Sequence, residues 1–390
     1  MFENLSQQPP DGLLALIKLF RDDPRETKLD LGVGVYKDEH GNTPILRAIK
    51  AAEEILLREQ KTKSYLGPEG DLRFVELVRE IVFGETDVTG RVCGIQTPGG
   101  TGALRAAADL ARRANPAARF WVSAPTWPNH RPIFVAAGAE VMEYPYFDIA
   151  SQTLLFDRML AALAGAARGD VIVLHGSCHN PTGANLSRTE WDAVISLCAE
   201  RGLLPLFDLA YQGLGDGLDE DAYAVRKAAG VLGEMMVAQS CDKNFALYRE
   251  RTGSLFVLGE KPDVIASNLA LCARTTWSMP PDHGAVAVRL ILESAELRKL
   301  WTDELNEMRE RINAVRRRIA ETEPALAFIG QQRGLFSNLA LSPEMVLRLR
   351  TDHGVYMAKS GRINLAGLRV GSVGQFVDAL RTAGCLKELA

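Results

Sequence analysis

The segment Ser240-Cys241-Asp242-Lys243-Asn244-Phe245 holds the most reactive grouping in the chain, with Arg251 eight residues beyond the lysine. A serine hydroxyl and a guanidinium suit a phosphate dianion. A lysine among them condenses with a carbonyl if its surroundings lower its pKa. Asp208 ends the apolar run 203–207, and Tyr211 follows three residues later. A carboxylate at a strand end can hold a protonated ring nitrogen. The Tyr211 phenol and the Asn180 amide, in His-Asn-Pro-Thr-Gly, can hydrogen-bond a ring hydroxyl, and Trp127, in Pro-Thr-Trp-Pro-Asn-His, offers a flat face. Gly99-Gly100-Thr101-Gly102 lies between an apolar stretch and the helical run ALRAAADLARRAN. Backbone N–H groups at such a helix start bind phosphate, and glycines let it approach. The spacing matches neither the dinucleotide nor the P-loop glycine pattern.

Taken singly, each feature has a commoner reading: a surface lysine, a capping Asp, a core Tyr or Trp, a turn Asn, a tight glycine turn. Their shared placement decides otherwise, because Thr97, His175, Asn180, Asp208 and Ser240 all follow apolar runs. Together they describe a site for pyridoxal 5'-phosphate (PLP). Arg362, in Ser-Gly-Arg-Ile-Asn, offers a bidentate fork for an amino acid's α-carboxylate. The alternative for it is a surface salt bridge worth at most ~1 kcal/mol. Arg274 can hold a second, distal carboxylate. His175 and His179 are spaced as H-x-x-x-H, but they span a strand end and a loop containing Pro181, so no metal is expected. Cys241 reads as a small buried residue.

These residues need a sheet to carry them. Short apolar runs at 120–122, 140–144, 170–175, 203–207, 235–238 and 253–258 alternate with helical patterns such as 188–201. That alternation predicts an α/β fold with a largely parallel sheet covered by helices on both faces, and ligands bind outside the carboxyl ends of such strands. After Pro280-Pro281 the pattern changes to one long helical stretch over 284–321, solvent-exposed or domain-bridging in its centre, and then to short strands and helices. With 390 residues, two or three domains are expected. The division reads as an N-terminal segment 1–45 packing with the small domain, a large cofactor-binding domain 46–300 and a small α/β domain 301–390. A net charge of −4 leaves no basic footprint for nucleic acid. No apolar run reaches the roughly 18 to 20 residues of a membrane span, the start does not read as a signal peptide, and the cytoplasm is the expected location.

The stretches LDLGVGVYKDEHGNTPIL, SYLGPEG, IQTPGGTGALR, WVSAPTWPNH, HGSCHNPTG, LPLFDLAYQG, KNFALYRERTG and SGRINLAG, in this order and spacing, resemble the aspartate/aromatic aminotransferase family, PLP fold type I. The likeness runs the length of the chain. It implies a seven-stranded, mostly parallel sheet and a smaller domain built from both termini. By the resemblance Lys243 would be the Schiff-base lysine and the base that moves a proton from the substrate Cα. Asp208 would pair with the ring nitrogen, Tyr211 and Asn180 would contact the ring oxygen, and Trp127 would stack on the ring. Gly100, Thr101, Ser240 and Arg251 would hold the phosphate, joined by Tyr65 from the other subunit of a homodimer with shared sites. Arg362 would bind the α-carboxylate, Arg274 from the neighbour would meet a dicarboxylate's side chain, and Gly34 would line the pocket.

Three positions depart from the family pattern. Asp242 replaces a small residue before the lysine, Thr252 an apolar residue after the phosphate arginine, and Met279 a polar residue after Ser278. A carboxylate ~5 Å from one phosphate charge would cost on the order of 3 kcal/mol at an effective dielectric of 20, so Asp242 is expected to point away and pair with a cation, to be protonated, or to alter cofactor binding. The leading expectation is transamination between an amino acid and a 2-oxo acid. Aspartate or glutamate with 2-oxoglutarate is favoured by Arg274 and Arg362 together, and Val35, Lys37, Thr43 and Thr101 resemble the aspartate-preferring branch. Aromatic substrates are the other family choice. The alternative is a PLP enzyme of altered reaction: decarboxylation, β- or γ-substitution, or oxidation. A non-catalytic cofactor-binding regulator ranks below both, because Lys243 is retained.

Overall fold

The computed structural model describes residues 1–7 and 12–389. Its apolar runs pair into one seven-stranded sheet: β1 (Val92–Pro98), β2 (Phe120–Ala124), β3 (Val141–Pro145), β4 (Val171–His175), β5 (Leu204–Leu209), β6 (Met235–Ser240) and β7 (Thr252–Leu258). The spatial order is β1-β7-β6-β5-β4-β2-β3. Only β7 runs against its neighbours, pairing antiparallel with both β6 and β1. The reason is local. A parallel return needs a crossover of a dozen or more residues, usually a helix, whereas residues 241–251 form a helix-free loop.

Strands β4, β6 and β7 are buried at every position. Their side chains divide by alternation: Val171 and Val173 enter one apolar core, Ile172 and Leu174 the other. This period of two is the backbone pleat read out as packing, and it requires helices on both faces. The register sets His175 of β4 opposite Asp208 of β5, and Ser240 of β6 opposite Gly253 of β7. The polar residues therefore emerge side by side at one edge of the sheet.

A separate apolar core gathers Leu29 and Leu31 from the start of the chain with Leu349, Val355, Ile363 and Phe376 from its end. Leu29 pairs with Val355 in a short parallel ladder. The long helical stretch expected over 284–321 is in fact two helices, His283–Glu293 and Ala295–Thr322. Ser294 breaks it: its backbone is extended, and its hydroxyl accepts the Leu297 N–H at 3.2 Å as the cap of the second helix. That second helix does bridge. Leu297, Trp301 and Leu305 pack into a sheet-side core, and Val315 and Ile319 into the terminal core.

Candidate active site

The loop between β6 and β7 is held from behind. The Trp301 ring stacks on Phe245 at 4.3 Å, and its indole N–H donates to the Asn244 carbonyl at 2.8 Å. The long helix thereby fixes the backbone on the C-terminal side of Lys243. The Asp242 N–H donates to Ser240 Oγ at 3.2 Å, which leaves the Ser240 O–H free to donate to a ligand. Facing it is the start of helix Gly99–Ala114, which has no side-chain cap and no acidic residue in its first turn. Its first N–H groups are thus unclaimed by a side chain, as an anion site requires. Two glycines permit the close approach. Gly99 has a φ of +69°, and a Cβ there would lie 2.6 Å from Arg251 Nη2. A Cβ on Gly100 would lie 3.3 Å from Ser240 Cβ.

At the opposite wall, Asp208 Oδ2 is 3.0 Å from His130 Nε2. His130 Nδ1 lies 2.7 Å from Thr126 Oγ1, which lies 3.1 Å from His175 Nε2. Burial pushes the Asp208 carboxyl up. The His130 hydrogen bond, with the Lys243 ammonium nearby, outweighs that and leaves it below the usual carboxylate range. Asp208 is thus held ionised, with Oδ1 left for a cationic ligand. His175 is pushed down to about 3 by burial and by His130, and His179 still further by burial and both histidines, so both stay neutral. The Asn180 amide donates to the Tyr211 hydroxyl at 3.2 Å, and burial pushes the Tyr211 phenol up, so it stays protonated. Lys243 Nζ sits 5.5 Å from the centre of the Tyr211 ring.

Arg362 reaches the same place from the terminal core. Its Nη1–H donates to Asn180 Oδ1 at 3.5 Å and its Nη2–H to the Gly32 carbonyl at 3.2 Å, with the guanidinium 4.4 Å above the Phe336 ring. Burial lowers the Arg362 pKa, and its Nε is a buried donor without a partner. Phe336 is seated by the buried Arg316, whose guanidinium donates to the Phe336 carbonyl at 2.7 Å and to the Gly334 carbonyl at 2.7 Å. Gly34 completes this end, since a Cβ there would strike the Phe336 ring at 2.8 Å.

A cleft of about 420 Å³ is lined by Gly100, Thr101, Trp127, Asn180, Asp208, Tyr211, Ser240 and Lys243, all expected from the sequence, together with Leu104, His175, Ala210 and Asp242. Arg251 and Arg362 join through single contacts to Asp242 and Asn180. Tyr65, 92 % exposed, and the exposed Arg274 do not enter the cleft of their own chain. The segments that carry them meet, since the Leu66 N–H donates to Met279 Sδ at 3.1 Å and Arg274 hydrogen-bonds Ser278. Asp242 does not point away. It pairs with a cation inside the cleft, as Arg251 Nη1 donates to its Oδ2 at 2.8 Å. Cys241 is buried, and its thiol is pushed up to about 12 by burial, which fits a packing residue. The sequence reading missed His130. Its signal was present in Trp127-Pro128-Asn129-His130, but only the fold brings it behind Asp208.

A buried ionised carboxylate, a phenol and amide pair beside it, a lysine, and a phosphate cradle at an uncapped helix start fit a phosphorylated pyridine ring. Arg362, with its orphaned Nε, fits the carboxylate of an amino acid next to it. These features define a PLP enzyme of amino acids. The family model "Aminotransferase class I and II" matches residues 26–380, and the chain belongs to that family. It is similar to the tyrosine aminotransferase of Rhizobium meliloti (strain 1021), 54 % identical over 376 residues that cover 95 % of this chain and 96 % of that one. It is also similar to the aspartate aminotransferase of Escherichia coli (strain K12), 43 % identical over 392 residues, 97 % of this chain and 99 % of that one. Among solved structures, an aromatic-amino-acid aminotransferase from Burkholderia pseudomallei covalently bound to pyridoxal phosphate superposes with a TM-score of 0.95 at 39 % identity, covering 98 % and 99 % of the two chains. The protein is a PLP-dependent transaminase of fold type I, and its relatives support transamination and not the altered-reaction alternative. Among the described residues, no helix is long and apolar enough to cross a membrane.

Proposed function

We propose that the enzyme transaminates both aromatic and dicarboxylic amino acids against a 2-oxo acid such as 2-oxoglutarate. The observation that carries this reading is the unequal pair of arginines. Arg362 is half-buried beside the cleft and hydrogen-bonded to Asn180, where every amino acid would present its α-carboxylate, whereas Arg274 is exposed outside it and is needed only when a second carboxylate arrives. The names of the relatives span both substrate classes.

When bound, PLP supplies an electron sink conjugated to the substrate Cα. The chain's residues do the rest. Asp208, kept ionised by His130, holds the ring nitrogen protonated. Tyr211 and Asn180 hydrogen-bond the ring oxygen, and Trp127 covers the ring face. Gly100, Thr101, Ser240 and Arg251 grip the phosphate. Lys243 anchors the cofactor and carries the proton at the substrate Cα. Arg362 orients the substrate through its α-carboxylate, over a floor made by Phe336 and Gly34.

Tyr65 and Arg274 act on the cleft of a second copy in a homodimer. The support is their joint exposure and the contact between their segments at Leu66 and Met279. The domain division at 1–45, 46–300 and 301–390 is likewise proposed, supported by the separate terminal core and by the helix that joins it to the sheet. A cytoplasmic location suits Cys178, Cys198 and Cys241, which are packed as small core residues. The test is kcat/KM for tyrosine, phenylalanine, aspartate and glutamate with 2-oxoglutarate. Turnover of both classes is expected, and a protein confined to one class would refute the dual assignment.

A further inference from the structure

Asp242 is 7 % exposed and lines the cleft. Arg251 Nη1 lies 2.8 Å from its Oδ2, and Lys243 Nζ lies 3.7 Å from the same oxygen. Among the described residues these are the cations within ion-pair range of it. Its Oδ1 is buried without a hydrogen-bond partner. The same Arg251 closes the phosphate end, where its Nη2 lies against Gly99. One guanidinium therefore faces two anions, the resident carboxylate and an arriving phosphate.

We propose that Asp242 is an internal counter-ion that stands in for the cofactor's phosphate at Arg251, so that PLP competes with it and is held in a readily exchanged form. The proposal rests on the reading that PLP occupies this cleft through Lys243. A phosphate monoester carries about −1.5 to −2 charge at pH 7. In a cradle where Arg251 and Asp242 cancel, it gains less than it would from an unpaired guanidinium, and it meets a like charge at close range.

Asp242 has no easy retreat. Its backbone N–H is tied to Ser240 Oγ and its side chain is buried. Taking Arg251 away entirely would leave a buried carboxylate uncompensated. Lys243, the other cation, is the residue the cofactor engages. Tyr248 and Cys241 also lie within electrostatic reach of Asp242, but burial raises both pKa values and keeps them neutral. Asp208, within electrostatic reach of Lys243, adds a further negative charge. The remaining arrangement shares the guanidinium. Nη1 stays with Asp242 and the Tyr248 carbonyl, 3.1 Å away, while the edge beside Gly99 meets the phosphate.

The experiment compares apoenzyme of the natural chain with Asp242→Asn and Asp242→Ser, measuring equilibrium binding and release of PLP. Two probes run beside it: pyridoxal, which lacks the phosphate, and inorganic phosphate alone, followed by calorimetry. Both variants are expected to bind PLP at least about tenfold more tightly and release it more slowly, with inorganic phosphate tightened as well and pyridoxal unchanged. The near-isosteric Asn variant keeps the test open if the Ser variant folds poorly. Unchanged or weaker binding of PLP and inorganic phosphate by Asp242→Asn would overturn the proposal and make Asp242 a group that orients Arg251. Equal tightening of pyridoxal would overturn it too, since the effect would then not concern the phosphate. If the natural chain takes up neither PLP nor pyridoxal, the cofactor reading fails, and the inorganic phosphate arm still decides the competition at Arg251.

Discussion

The inner wall of the cleft and its outer rim are built on different principles. The inner wall is made within one chain: Asp208, His130, Thr126 and His175 form a continuous hydrogen-bonded chain, and Trp301 pins the loop that carries Lys243. The rim residues Tyr65 and Arg274 touch nothing in that cleft and stand in solvent. A sheet edge can preorganise charge because its strands are fixed by register. An exposed turn gains a fixed place only from something that covers it. The contrast separates the chemistry common to all amino acids, assigned to the wall, from the choice among side chains, assigned to the rim.

The largest expected effect tests the wall. Lys243→Ala should lower transamination by about three to four orders of magnitude for every amino acid, and borohydride should no longer fix the cofactor to the chain. Next comes the pair of arginines. Arg362→Ala should lower kcat/KM by about a hundredfold to a thousandfold for aspartate and tyrosine alike, the loss expected for one member of a buried charged pair. Arg274→Ala should cost aspartate and glutamate about tenfold to a hundredfold and leave tyrosine within about threefold. Equal losses across both substrates would erase the division between wall and rim.

A smaller effect separates positioning from packing. His130→Asn removes a charge-assisted hydrogen bond to Asp208, worth about 1.5–3 kcal/mol, and should cost about tenfold to a hundredfold in kcat/KM. It should also move the acid limb of the pH profile upward, because His130 helps hold the Asp208 carboxyl low. A merely structural role would lower activity without moving that limb.

The smallest effect concerns acid stability. His175 is held near 3 in the folded chain, so its contribution is fully present above its unfolded value near 6.5 and is lost as pH falls toward 3. Between pH 7 and pH 5 it should cost about 2 kcal/mol, read as a fall in the denaturant midpoint at fixed protein concentration. His175→Gln should reduce that dependence by about 2 kcal/mol, with the part due to the equally buried, neutral His179 remaining.

Much of the wall was legible in the sequence, because strand ends can be read from apolar runs. Asp208 and Ser240 stood at such ends and both line the cleft, at opposite walls. What sequence spacing does not carry is distance across the fold. His130 lies 78 residues from Asp208 and meets it only because β2 and β5 flank β4. The orientation of Asp242 was open for the same reason, since its partner Arg251 returns to it by the helix-free turn into β7. The break at Ser294 was hidden inside a continuous helical pattern, where one capping serine between two good helix formers leaves little compositional trace. The rim was legible only as resemblance: nothing in the composition around Tyr65 and Arg274 says which cleft they serve.

Mixing two complementary variants tests the partition most directly. Lys243→Ala disables the wall, and a Tyr65→Ala/Arg274→Ala double variant disables the rim for aspartate. If wall and rim come from different copies, an equal mixture allowed to exchange subunits should recover roughly a quarter of the natural activity toward aspartate, because each mixed dimer regains one intact site. Activity no higher than the sum of the two variants alone, with subunit exchange verified, would place wall and rim in the same chain and contradict the account.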